Sequence, residues 1–156
     1  TYPGVFIPGT RKVVKWGDEL LDIVSRTTDG KWAVGKVDTA YAHAVTWQFP
    51  YADFYRINGE TGERTLIVKN VIRTLGVSDD GKWFLYLKDK RVHAYNFATG
   101  TSSIIDAGMS FLNTTDDFTY ETGIWGVAGW SQDGRSVLLY DQFDIWQLPL
   151  QATSGE

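Results

Sequence analysis

Few side chains in this chain of 156 residues could do covalent chemistry, and their spacing says what kind is open to it. Cysteine is absent, which excludes a thiol nucleophile, a zinc–thiolate site and a disulfide framework. The two histidines are His43 and His93, and neither has metal-ligand spacing to the other. His93 falls in the alternating run Arg91–Phe97 and reads as a structural or surface histidine. His43 stands near Tyr41 and Trp47, where a binding role is open. A serine hydrolase of the α/β type needs a Gly-x-Ser-x-Gly elbow. The nearest string, Gly129-Trp130-Ser131-Gln132-Asp133, lacks the final glycine and leads into a hairpin turn, so Ser131 is not expected to be a nucleophile. Asp116, Asp117 and Glu121 cluster with Phe118 and Tyr120, and carboxylates so placed could hold a cation or a ligand amine. The cluster does not match the alternating oxygen ligands of a calcium loop, and a solvated loop is the plainer reading. Asp116, Asp117, Tyr120 and Glu121 are therefore the candidate substrate-facing residues; no catalytic, cofactor or metal site is expected. Glycoside hydrolysis would need a carboxylate pair distant in sequence, and nothing singles one out. Asp141 and Asp144, flanking Phe143 in Tyr140–Trp146, read as turn carboxylates bonded to backbone N–H groups.

The elements that must position these residues are short strands. One stretch, Asp18–Ser25, could make two helical turns; the rest is dense in Val, Ile, Tyr, Trp, Phe and Thr, broken by Gly, Asp and Asn. Turn signals stand at Asp29-Gly30, Asn58-Gly59, Asp80-Gly81 and Asp133-Gly134, and such pairs suit type I′ hairpins. The turns recur: Asp29-Gly30-Lys31-Trp32 is matched by Asp80-Gly81-Lys82-Trp83 and by Asp133-Gly134-Arg135, so the unit returns after 51 and then 53 residues. Around each turn the sequence predicts strands at Leu21–Arg26 and Trp32–Val37, at Ile72–Ser78 and Trp83–Lys88, and at Gly126–Trp130 and Ser136–Tyr140. Third strands are expected at Asp53–Asn58, Val92–Phe97 and Phe143–Leu148. Second turns near Thr61-Gly62, Thr99-Gly100 and Ser154-Gly155 follow, the first two leading into fourth strands at Arg64–Val68 and Thr101–Ile105. A four-stranded antiparallel unit recurring every ~40–50 residues is the signature of a β-propeller blade.

The fold expected is thus all-β, a partial β-propeller of about three four-stranded antiparallel blades. Residues 1–17 read as the end of a preceding blade, with Val5–Trp16 its outer part; 18–70 and 71–106 are blades, and 107–156 is an incomplete blade with a long entry loop. Two insertions, Asp38–Ala52 and Ala107–Gly123, are long enough to be functional loops. The aromatic content, 7 Trp, 8 Tyr and 8 Phe, suits packing between stacked sheets. A net charge of −4 without a dense basic patch argues against nucleic-acid binding. No apolar run approaches the ~18 residues of a membrane span. A propeller needs ~4–8 blades, so the chain reads as a slice of a longer one, and its start at Thr1 agrees with processing or a cut. Unpaired faces and edges in such a slice would favour self-association.

The run Gly126–Trp146 (GVAGWSQDGRSVLLYDQFDIW) resembles the propeller domain of bacterial prolyl oligopeptidase-like serine peptidases, including dipeptidyl peptidase relatives. The segments Phe54–Leu66, Asp80–Tyr86 and Ala94–Gly100 look like blade strings of the same domain, though these are shared with TolB-like propellers. The resemblance covers most of Asp18–Glu156. It implies a non-catalytic propeller that gates peptide access to a C-terminal α/β-hydrolase domain, in a bacterial protein that is periplasmic or exported. That domain, the remaining blades and the parent's peptide substrates would be the partners. The family's Ser, Asp and His match nothing here, and the glutamates that grip a peptide N-terminus in the dipeptidyl peptidases have no match either. A TolB-like or WD-type protein-interaction module remains the alternative, and a sugar-active propeller a third.

Overall fold

The computed structural model describes residues 3–44, 51–115 and 122–151, with the side chains of 42–44 left aside. The fold is all-β. Among the described residues every named strand pairs antiparallel with at least one strand adjacent to it in sequence, giving one two-stranded, two four-stranded and one three-stranded sheet. The chain divides into two compact units, residues 1–72 and 73–156.

In the first unit, β1 (Gly4–Ile7) and β2 (Lys12–Lys15) form a hairpin. A four-stranded meander follows: β3 (Asp22–Arg26), β4 (Trp32–Val37), β5 (Ala52–Asn58) and β6 (Arg64–Val71). The hairpin lays Val5 and Val14 on a core of Trp16, Leu21, Ala33 and Ile57. The possible helix at 18–25 does not form. The Asp18 carboxylate accepts the Leu20 and Leu21 N–H groups and pairs with Arg64, making a tight turn that sends Leu21 into the core. Strand β3 begins immediately after it, where alternation suits Ile23 to one face.

The second unit holds two sheets. One runs β7 (Arg73–Val77), β8 (Trp83–Lys88), β9 (Arg91–Asn96) and β10 (Thr101–Ile104). The other runs β11 (Gly126–Trp130), β12 (Ser136–Tyr140) and β13 (Ile145–Pro149). They pack face to face: Trp83, Leu85, Leu87, Val92 and Ala94 of the first meet Val137, Leu139 and Leu148 of the second. Burying such side chains is worth roughly 1.5–3 kcal/mol each before entropy is subtracted. Phe84, Tyr86, Tyr95 and Phe97 lie on the other face of β8–β9, with Tyr95 and Phe97 edge to face at 5.8 Å.

The repeat seen in the sequence is also a repeat of registers. Each first strand carries a bulge at the same place, between Ile23 and Ser25, Thr74 and Gly76, and Val127 and Gly129. The Asp-Gly turns are not type I′. Only the glycines have positive φ (70°, 69° and 67° at Gly30, Gly81 and Gly134), while Asp29, Asp80 and Asp133 do not. Each glycine N–H bonds back three residues, to Thr27, Ser78 and Ser131, as in a four-residue loop built on a type I turn. Asn58-Gly59 is not a two-residue turn either. Gly59 sits against the Gly30 carbonyl, where a Cβ would come within 2.0 Å, and the bend is made further on, at Gly62.

Candidate functional site

The three Asp-Gly hairpins are built by one device. A hydroxyl donates to the aspartate (Thr27 to Asp29, Ser78 to Asp80, Ser131 to Asp133, each 2.6 Å). The same hydroxyl accepts the N–H that opens the next strand, at Trp32, Trp83 and Ser136. The aspartate then accepts the N–H of the following cation, Lys31, Lys82 or Arg135. These bonds hold the carboxyls below their ordinary value, the hydroxyl bond chiefly for Asp29 and Asp133. Burial works the other way at Asp80, but Ser78 and Lys82 outweigh it. Ser131 is thus engaged as a turn hydroxyl, as its place before the hairpin suggested.

In the second unit two of these hairpin ends come together. The Asp80 carboxylate lies 2.4 Å from where a Cβ on Gly134 would stand, so this site admits only glycine without displacement. Beside them opens a cleft of about 660 Å³, lined by Lys82, Trp83, Asn96, Asp133, Arg135 and Gln151 among others. Its opposing sides are backbone-braced: Phe97 N–H bonds the Lys82 carbonyl and Leu150 N–H bonds the Arg135 carbonyl. Lys82 also pairs with Asp80 at 3.2 Å. The lining brings together two cations, one carboxylate and two side-chain amides beside the largely buried Trp83. Among the described residues, those lining the cleft include no hydroxyl and no imidazole. The one part of this lining that the sequence marks is the cation after each of the two Asp-Gly pairs, Lys82 and Arg135.

The candidate residues Asp116, Asp117, Tyr120 and Glu121 lie outside the described residues, as do Trp47 and the Ser154-Gly155 turn. The stem of the second insertion is described. Phe111 is buried in the core, Leu112 bridges Ile124, and Asn113 N–H bonds the Gly123 carbonyl at 2.7 Å. The first insertion starts as a short 3-10 turn, Thr39–Ala44, which includes the backbone of His43. Tyr41 anchors that turn by donating to Asp53 at 2.6 Å, and Asp53 also accepts Asn70 N–H. His93 lies on β9, stacked on Tyr86 with ring centroids 5.0 Å apart and planes within 8°. Burial pushes its pKa below the ordinary value, against a backbone bond at Lys88 and the nearby Asp106. Asp141 behaves as a turn carboxylate, accepting Phe143 and Asp144 N–H groups and the Trp146 indole N–H. That turn delays the third strand from Phe143 to Ile145. Among the described residues no cluster of three or more His, Cys, Asp or Glu could hold a metal, and no helix is long and apolar enough to cross a membrane. No protein-family model matches the chain, and no curated protein matches it either.

Proposed function

We propose that this chain is the non-catalytic propeller segment of a prolyl oligopeptidase-like serine peptidase, gating substrate access and packing on an α/β-hydrolase domain. The observation that carries the reading is the repeated sheet: the same bulge and the same hydroxyl–carboxylate turn occur three times. One antiparallel unit repeated and stacked is propeller architecture. The family assignment rests on the likeness of Gly126–Trp146 to the peptidase propellers. The engagement of Ser131 in its turn agrees with chemistry residing in another domain.

The test has two arms. Purified chain should neither release product from aminoacyl-proline chromogenic substrates nor take up a fluorophosphonate probe; labelling of this polypeptide would overturn the reading. Sequencing the whole gene should reveal a hydrolase domain with a Gly-x-Ser-x-Gly elbow downstream. Its absence would leave the second reading, a TolB-like protein-interaction module, which the braced cleft at Lys82, Trp83 and Arg135 favours.

A further inference from the structure

The repeat assigns each face of a sheet a fixed neighbour. In the first unit the face carrying Ala33 and Ile57 is covered by the β1–β2 hairpin, which precedes it in sequence. In the second unit the face carrying Trp83, Leu85, Leu87 and Val92 is covered by β11–β13, which follows it. The cross-strand pair Leu87–Val92 corresponds by register to Tyr140–Ile145 in the last sheet. Tyr140 and Ile145 are 42% and 55% exposed. They are therefore the positions a following sheet would cover. The hairpin offers the opposite kind of face. Its outward cross-strand pair, Phe6 and Val13, is 59% and 76% exposed.

Charge matches these two faces to each other. Residues 4–15 carry Arg11, Lys12 and Lys15 and no carboxylate. Residues 136–149 carry Asp141 and Asp144 and no cation. Each strip is one-signed, apolar at its centre and of complementary role in the repeat. We propose that a second copy of this chain docks head to tail, the β1–β2 hairpin of one copy covering the Tyr140–Ile145 face of the next. The interface is heterologous, so it propagates to a closed ring or to an open chain according to its rotation. It is a property of the chain of 156 residues and holds whether or not the peptidase reading does.

Light scattering with sedimentation tests this from about 1 to about 100 µM, the range of a modest interface. The wild-type mass should rise at least twofold over that range and fall back in about 0.5 M salt, which screens the exposed charges. Val13→Asp removes one face and Ile145→Lys the other, so each variant alone should stay monomeric. Mixed in equal amounts, they should form a dimer, because each keeps the face the other lost. Far-UV circular dichroism checks the fold of both, and a variant that misfolds is replaced by Phe6→Ser or Tyr140→Ser respectively. A wild-type chain that stays monomeric, association abolished by only one variant, or a mixture that stays monomeric would each overturn the proposal.

Discussion

Leu85 on β8 and Leu138 on β12 are the same position of the same repeat, opposite Ala94 and Gln147 in their respective ladders. Leu85 is completely buried beneath the next sheet. Leu138 is half-buried and lies one pleat from the exposed Tyr140. The difference lies in what covers the strand rather than in the strand, since residue type, flanking turn and pairing are alike. In a stacked architecture a position acquires its energetic weight from the neighbouring sheet.

The pair gives the largest expected effect. Leu85→Ala should destabilise the chain by about 3–4 kcal/mol, because it removes transfer energy and leaves a cavity in a packed layer. Leu138→Ala should cost about 1 kcal/mol or less in the monomer, since water already reaches that face. Urea unfolding under dilute conditions reads both. Equal losses would mean that the two faces are equally covered and would break the comparison.

A smaller difference lies in the carboxylates that clamp the two sheets. Asp106, 1% exposed, takes a two-pronged grip from Arg91 and accepts the Val92 and Gly108 N–H groups. Asp141 performs its clamping at the surface, around the Phe143 turn. Removing Asp106 leaves two N–H groups and a guanidinium without their acceptor, so Asp106→Ala should cost roughly 2–3 kcal/mol. Asp141→Ala should cost less. The sign with pH follows from the Asp106 carboxyl. Burial raises its pKa, but the bonds from Arg91, Val92 and Gly108 outweigh that and hold it below the ordinary 3.8. Its stabilisation is then complete above about pH 4 and is lost as pH falls through the folded value. Asp106→Asn cannot titrate, and its acid-unfolding curve should be flatter than that of the wild type.

How much of this was legible in the sequence depends on the range of the force involved. Strands β4, β8, β11 and β12 match their expected limits because an Asp-Gly turn marks one boundary of each. The turn type differs from the type I′ expectation, because the dipeptide does not reveal that Thr27, Ser78 and Ser131 close a longer loop through their hydroxyls. The spacing Thr/Ser-x-Asp-Gly held that information. Asn58 and Asn96 were likewise readable: each side chain accepts two N–H groups and starts the second turn, a role that Pro149 at the matching register position lacks. The Asp18 segment was ambiguous because two leucines suit a helix as well as a bend, and the Arg64 partner lies 46 residues away. The cations of the cleft were legible after their Asp-Gly pairs, but the cleft was not, since Lys82 and Arg135 line one space only through the packing of two sheets.

The smallest expected effect comes from the ring positions that match across the two sheets, His93 and Trp146. Each stands opposite the fourth residue of its second strand, Tyr86 and Leu139 respectively. Trp146 cannot titrate, whereas His93, stacked on Tyr86, can. Burial depresses its pKa below the ordinary 6.5, while the Lys88 carbonyl, Asp106 and Asp89 pull upward and the Lys88 charge adds to the depression. The unfolded chain then binds the proton more readily than the folded one. Stability should accordingly decline as pH falls below about 6.5, well before the carboxylates respond near pH 4. Urea midpoints at pH 7.5, 6 and 5 should show this decline in the wild type and lose it in His93→Gln. A decline that persists in His93→Gln would assign it elsewhere and leave the Tyr86–His93 stack as packing alone.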